Sequence, residues 1–223
     1  MRILLIEDNP ADARLIRELL NDSRLSFELD TADTLSRGIE RLRPDAADVV
    51  LLDLSLPDST GLDTFTRVHD AEPRIPIVVM SGLSDERLAM QAVHAGAQDY
   101  LVKGDVDGKL LGRSLRYAVE RKRAEVALEE SNERFRKVFE EGPVGMVLVG
   151  RDRRIFEANE AFCRMVGLSE MELLALPDAL ELTHPEEREI DRAAFAKLYS
   201  GEIASLQREK RYLTRTGEVV WAN

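Results

Sequence analysis

Cysteine is nearly absent from this chain: Cys163 is the single one among 223 residues. No internal disulfide can form, and a reducing, cytoplasmic compartment is the expectation. Positive charge is also in short supply, with 31 lysines and arginines against 42 aspartates and glutamates, a net charge of −11. Nucleic acid needs a basic footprint for its phosphates, so it is not an expected partner. No apolar run approaches the roughly 20 residues of a membrane span, so none is expected in a bilayer. The opening "MRILLIEDNP" has too short an apolar run for a signal peptide. Aromatics are few, at 5%, but apolar residues reach 44%, enough to build a core.

What is present is a regular alternation. "RILLIED" is a short apolar run, and "NPADARLIRELL" has helical spacing at Leu15, Ile16, Leu19 and Leu20. Asn9 caps that helix, with Pro10 in its first turn. "SFELDTA" then "TLSRGIERLR", "DVVLLD" then "GLDTFTRVHDAE", and "IPIVVMSG" then "SDERLAMQAVHAG" repeat the strand-helix theme, and "QDYLVK" supplies a fifth strand. Such units with short connections predict an α/β fold with a doubly wound parallel sheet. From Asp107 to about Glu141 no proline occurs and only Gly108 and Gly112 interrupt helix formers. About 35 residues at roughly 1.5 Å each predict a rod of roughly 50 Å. Tyr117, Ala124, Leu128, Ser131, Phe135 and Val138 follow spacings of three, four and seven, as a coiled-coil seam does, although Arg121 occupies one slot.

Past "EEGP" the texture changes. "VGMVLVGRDRRIFEAN" reads as strand, polar turn and strand; "EAFCRMVGLSEMELL" is helical; "REIDRAAFAKLYSG" is a helix ending at Gly201; and "KRYLTRTGEVVWAN" is a hairpin turning near Thr216 and Gly217. The mixture predicts a small α+β domain. The expected boundaries are a first domain over 1–120, a helical linker over 121–141, and a C-terminally incomplete second domain over 142–223.

Acids end two of the strands. Glu7 and Asp8 close the first, and Asp53 closes the apolar run "VVLLD". If the sheet runs in the order 2-1-3-4-5, strands one and three are neighbours at the topological switch point, where ligands bind. Three converging carboxylates would repel one another, and a divalent cation removes the repulsion. Hard oxygen ligands suit Mg²⁺. Ser81 ends strand four and Lys103 ends strand five, adding a hydroxyl and a point charge that suits a phosphoryl oxygen. That set fits phosphoryl transfer, with Asp53 as nucleophile forming an acyl phosphate.

"LLIEDNPADA", "VVLLDLSLPDSTGLD", "VVMSG" and "AGAQDYLVKG" resemble the receiver domain of two-component response regulators, over roughly residues 1 to 120. The resemblance implies the flavodoxin-like order 2-1-3-4-5 and a histidine kinase or phosphotransfer protein as donor to Asp53. It implies that the backbone carbonyl of Ser55 joins Glu7, Asp8 and Asp53 around Mg²⁺, and that Ser81 and Lys103 contact the phosphoryl group. Tyr100 matches the switch aromatic and would follow Ser81 inward on phosphorylation. Ser55 and Leu83 would flank the path of the hydrolytic water. Gly104 departs from the pattern, since the family usually has proline there.

"FRKVFEEGPVGMVLVGRDRRIFEANEAFCRMVG", "THPEE" and "YLTRTGEVVWAN" resemble a PAS domain, carried chiefly by Asn159 at a helix start and by the "RTGEVVW" hairpin. That family usually continues for one or two more strands, so the chain is expected to be a fragment of a longer signalling protein. PAS domains hold haem, flavin or metabolites, or only dimerise. His184 lies in a loop, a poor place for a haem ligand, and Cys163 lacks the asparagine- and glutamine-bearing motif of photoactive flavin domains. No tightly bound PAS ligand is expected.

Three other activities fit less well. An aspartyl phosphatase places a second aspartate two residues after the nucleophile; here Ser55 stands there and a leaving group lacks its proton donor. A flavin binder needs a hydroxyl- and glycine-rich phosphate loop, and "EDNPAD" repels phosphate. None of His69, His94 and His184 has the helical histidine-acid-proline context of a histidine kinase, and no glycine-rich ATP site is visible. The expectation is a phosphorylation-controlled receiver that relays its state through a helix to a PAS module able to dimerise. Turnover beyond self-phosphorylation and autodephosphorylation is not expected. The alternative is the N-terminal part of a hybrid sensor histidine kinase whose catalytic part lies beyond residue 223.

Overall fold

The computed structural model of the chain describes residues 1–43, 46–82 and 86–223. It divides into two compact units, Met1–Glu129 and Glu130–Asn223. In the first, β1 (Arg2–Ile6), β2 (Glu28–Ala32), β3 (Val49–Asp53), β6 (Ile77–Ser81) and β7 (Asp99–Val102) form one parallel sheet in the order β2-β1-β3-β6-β7. A two-residue hairpin, β4 (Ser55–Leu56) with β5 (Ser59–Thr60), lies outside that sheet. Counting only the sheet's own strands, the order is the expected 2-1-3-4-5. β1 pairs with both β2 and β3, and its register sets Ile6 against Ala32 on one side and Leu52 on the other.

The alternation of side chains along a strand decides which helices cover which face. Leu4, Ile6, Val50, Leu52, Ile77 and Val79 pack with Leu35, Phe65, Val68, Ala89 and Ala92. These come from α2 (Leu35–Arg41), α3 (Leu62–Ala71) and α4 (Glu86–His94). Their neighbours Ile3, Leu5, Val49, Leu51, Val78 and Met80 pack instead with Ile16, Leu20, Leu111 and Leu115. Those belong to α1 (Pro10–Asp22) and α5 (Gly108–Glu140). Every residue of β3 and β6 is buried, which is why both read as unbroken apolar runs.

Local chemistry sets the ends. Asn9 caps α1 by accepting from the Ala11 N–H, with Pro10 at the first helical position. α5 runs for 33 residues without a break, and no described helix is long and apolar enough to cross a membrane.

In the second unit, β8 (Val147–Val149) pairs antiparallel with β9 (Ile155–Ala158), and β10 (Lys210–Leu213) with β11 (Val219–Ala222). Gly217 makes the turn of the second hairpin at φ 82, a conformation that favours glycine. The single helical stretch expected over "EAFCRMVGLSEMELL" is two helices, α6 (Glu160–Val166) and α7 (Glu170–Leu174). Gly167, in the left-handed region at φ 71, ends the first, and a Ser169–Glu172 capping box starts the second. α8 (Arg188–Ser200) stops at Gly201, as the sequence predicts. Ile155, Phe162, Val166, Leu173 and Leu182 form the core of this unit.

Candidate functional site

The C-terminal ends of β1, β3, β6 and β7 lie side by side, so whatever follows each strand faces one common edge. Glu7 follows β1, Asp53 ends β3, Ser81 ends β6 and Lys103 follows β7. Glu7, Asp8 and Asp53 each bring a carboxylate oxygen to within 4.8 Å of the others. Glu7 and Asp53 are buried, whereas Asp8 is exposed. The Lys103 ammonium lies 2.6 Å from Glu7 Oε2, 2.6 Å from Asp53 Oδ2 and 3.0 Å from Asp12 Oδ2. The other Asp53 oxygen, Oδ1, accepts from the Ser55 N–H at 3.0 Å. Glu7 Oε1 accepts from the Asn9 N–H at 3.1 Å.

Charge balance explains the electrostatics. Burial, and next to it the Asp53 charge, push the Glu7 carboxyl above its ordinary value against the pull of Lys103. Burial alone would lower Lys103, but its hydrogen bonds to Asp53, Glu7 and Asp12 outweigh that and hold it above the usual lysine range. Among the described residues, the cluster of Lys103 with Glu7, Asp8, Asp12 and Asp53 is net negative. Ser81, 2% exposed, has a hydroxyl with no hydrogen-bond partner among the described residues. A buried hydroxyl in that state is free to donate to a group that enters the edge. Oxygen donors around a net negative pocket, beside a spare hydroxyl, fit a hard divalent cation and a phosphoryl oxygen.

Tyr100, on β7, is half-buried and packs against the face of the sheet that carries Leu4 and Val79. Ser55 is exposed at the start of the small hairpin. Gly104 takes φ 95, which proline cannot adopt, so the departure from the receiver pattern changes the backbone after Lys103. Leu83 lies outside the described residues.

Two residues at this edge escaped the sequence reading. Asp12 is in the first turn of α1, where the N-terminal end of the helix meets the strand edge. Its signal was an acid at the start of the helix that follows the acid pair. Asp58 accepts from the Leu35 N–H at 2.8 Å, the Ser36 N–H at 2.9 Å and the Ser36 hydroxyl at 2.8 Å. It ties the loop after Asp53 to the start of α2. Against a burial cost, those hydrogen bonds hold its carboxyl down at about 2.

This sheet order and this cluster define a class. Residues 3–113 match the model of the response regulator receiver domain, and the first unit is a receiver domain. Residues 133–199 match the model of a PAS domain, so the chain carries a receiver followed by a PAS domain, as the sequence resemblances imply. The whole chain is 27% identical over 255 aligned positions to the sensor histidine kinase TmoS of Ectopseudomonas mendocina, but spans 26% of that protein. It is 37% identical over 126 residues, 56% of the chain, to the KDP operon transcriptional regulatory protein KdpE of Escherichia coli, and spans 54% of it. Among solved structures, a response regulator receiver domain protein from Clostridium thermocellum superposes with a TM-score of 0.50 at 26% identity. That match covers 55% of this chain and 97% of the other.

Proposed function

We propose that Asp53 accepts a phosphoryl group from a histidine kinase or phosphotransfer protein. The Asp53 carboxylate oxygen attacks phosphorus, the phosphorus–nitrogen bond of the donor phosphohistidine breaks, and the imidazole leaves. Glu7, Asp8, Asp53 and the backbone carbonyl of Ser55 would hold Mg²⁺, which when bound offsets the charge that develops on the phosphoryl oxygens. Lys103 and the spare Ser81 hydroxyl serve as donors to those oxygens. The observation that carries the reading is the Lys103 ammonium 2.6 Å from both Asp53 and Glu7, two of the three acids whose oxygens converge, at an edge where the buried Ser81 hydroxyl has no hydrogen-bond partner among the described residues. Mg²⁺-dependent labelling by a small phosphodonor tests it, comparing wild type with Asp53→Asn. Label in the wild type alone is the expected result, and label kept by the variant moves the acceptor elsewhere.

Phosphorylation would draw the Ser81 hydroxyl toward the new oxygens and let Tyr100 follow, shifting a two-state equilibrium. The signal then leaves along α5. On that helix Tyr117, Leu128, Phe135 and Val138 are all exposed, at 63%, 63%, 53% and 66%, along the seam of threes, fours and sevens. Their exposure supports pairing of two chains through this helix and the PAS unit. Sedimentation that does not change with a stable phosphoryl mimic would count against a phosphorylation-dependent pairing.

The net charge supports a role without nucleic acid, and the lone cysteine supports a cytoplasmic setting. The second reading, part of a hybrid sensor kinase, is favoured by one observation: the similarity to TmoS runs along 100% of this chain.

A further inference from the structure

An ammonium has three donors, and Lys103 directs them at three carboxylates. Two of these, Glu7 and Asp53, belong to the trio whose oxygens converge, whereas the third, Asp12, does not. Lys103 therefore holds two of the three carboxylates that a divalent cation would need. Asp12 differs from the other two in surroundings as well: its side chain is 32% exposed, against 1% for Glu7 and 11% for Asp53. The Lys103 N–H is fixed on the Ser81 carbonyl at 2.8 Å. Any relocation of its charge is thus a swing of the four-carbon stem, not a movement of the strand.

We propose that Asp12 is the positioning residue that receives the Lys103 ammonium when a divalent cation takes Glu7 and Asp53. This rests on the metal reading given above. Lys103 lets go of two carboxylates and keeps the third, so its charge stays beside Asp53, ready for a phosphoryl oxygen. Without Asp12, the ammonium has nowhere to go but water or its present partners, and it competes with the metal. Asp12 thereby favours metal entry through lysine, not by adding a ligand.

The test is a double-mutant cycle on the full chain, read as Mg²⁺ affinity from amide chemical shifts. The variants are Asp12→Asn, Lys103→Met and the pair together, with Asp12→Glu as the conservative replacement. In the Lys103 background, Asp12→Asn is expected to weaken Mg²⁺ binding about fivefold, the scale of a partly exposed ion pair. In the Lys103→Met background the same change is expected to shift affinity less than about twofold, because no ammonium remains to be moved. Asp12→Glu restores the affinity. An equal loss in both backgrounds overturns the proposal, since Asp12 would then act as a plain negative charge. No loss in either background overturns it as well. Either result leaves Asp53 standing as the acceptor, since wild-type labelling is read separately, whereas label that survives Asp53→Asn removes the reading beneath it.

Discussion

Asn159 is fully buried, and its side chain uses every hydrogen bond it can make. Its Nδ2 donates to the carbonyls of Phe139 and Val144 at 2.7 and 2.8 Å. Its Oδ1 accepts from the Met146 and Phe162 N–H groups at 2.8 and 2.9 Å. One amide thus clamps the last turn of α5, the entry to β8 and the start of α6. Replacing it by alanine strands two donors and two acceptors. At about 1 kcal/mol each, and with water reaching the exposed Val144 segment, the loss is about 3–5 kcal/mol. At roughly 4–8 °C per kcal/mol for a domain of this size, the second unit should melt more than about 12 °C lower. Asn159→Asp gives no rescue, since a carboxylate would face two carbonyl oxygens. The assay is built in: Trp221, the sole tryptophan, sits on β11 of the same unit, so its fluorescence follows that unit while the first unit stays silent. An Asn159→Ala midpoint within about 4 °C of wild type would refute the clamp.

Asp58 and Thr34 together satisfy the first turn of α2: Asp58 takes the Leu35 and Ser36 N–H groups and Thr34 the Arg37 N–H. Asp58→Ala should therefore cost the first unit about 1 kcal/mol at neutral pH, measured by urea unfolding. Because the folded carboxyl is held down at about 2 from an ordinary 3.8, that stability is present above 3.8 and lost as pH falls through about 2. A gap between wild type and variant that stays constant across that window would exclude the mechanism. Glu7 carries the opposite shift: burial raises it, so it protonates at a higher pH than an ordinary carboxylate. Mg²⁺ affinity should begin to fall above pH 4.5 as the solution is acidified, and Glu7→Gln should weaken the binding and remove that early part of the fall. Calorimetric titrations at stepped pH check this, and a profile that turns only at the pH of an unshifted glutamate would contradict it.

How much was legible depends on how far apart the determinants lie in the chain. β3 and β6 were readable because complete burial forces apolar residues at every position. α5 was readable because 33 residues lack a proline or a mid-helix glycine beyond Gly112. The strand-end acids were readable for a related reason: a polar residue that closes a buried strand must open onto the sheet edge, and parallel strands share that edge. The split between α6 and α7 was harder, since Gly167 inside an otherwise helical run costs only about 1 kcal/mol by propensity, too little to forecast a break. The break comes from the left-handed cap and from the Ser169–Glu172 box just after it, which act together.

Asp12 and Asp58 lay beyond such reasoning because their partners are remote. Asp12 meets a lysine 91 positions away, and Asp58 reaches helix donors 22 and 23 positions before it. Each looks alone like a solvated acid, at a helix start or in a turn, where the dipole or the turn chemistry already accounts for it. What distinguishes them appears only once the sheet order is known. β1 and β7 lie on opposite sides of β3 and β6, yet Glu7 and Lys103 still touch across the edge, and Asp12 joins them from the helix above. The acid trio and its lysine follow from strand ends alone. The residues argued to manage that lysine and to brace the loop follow from topology, and they become visible in that order.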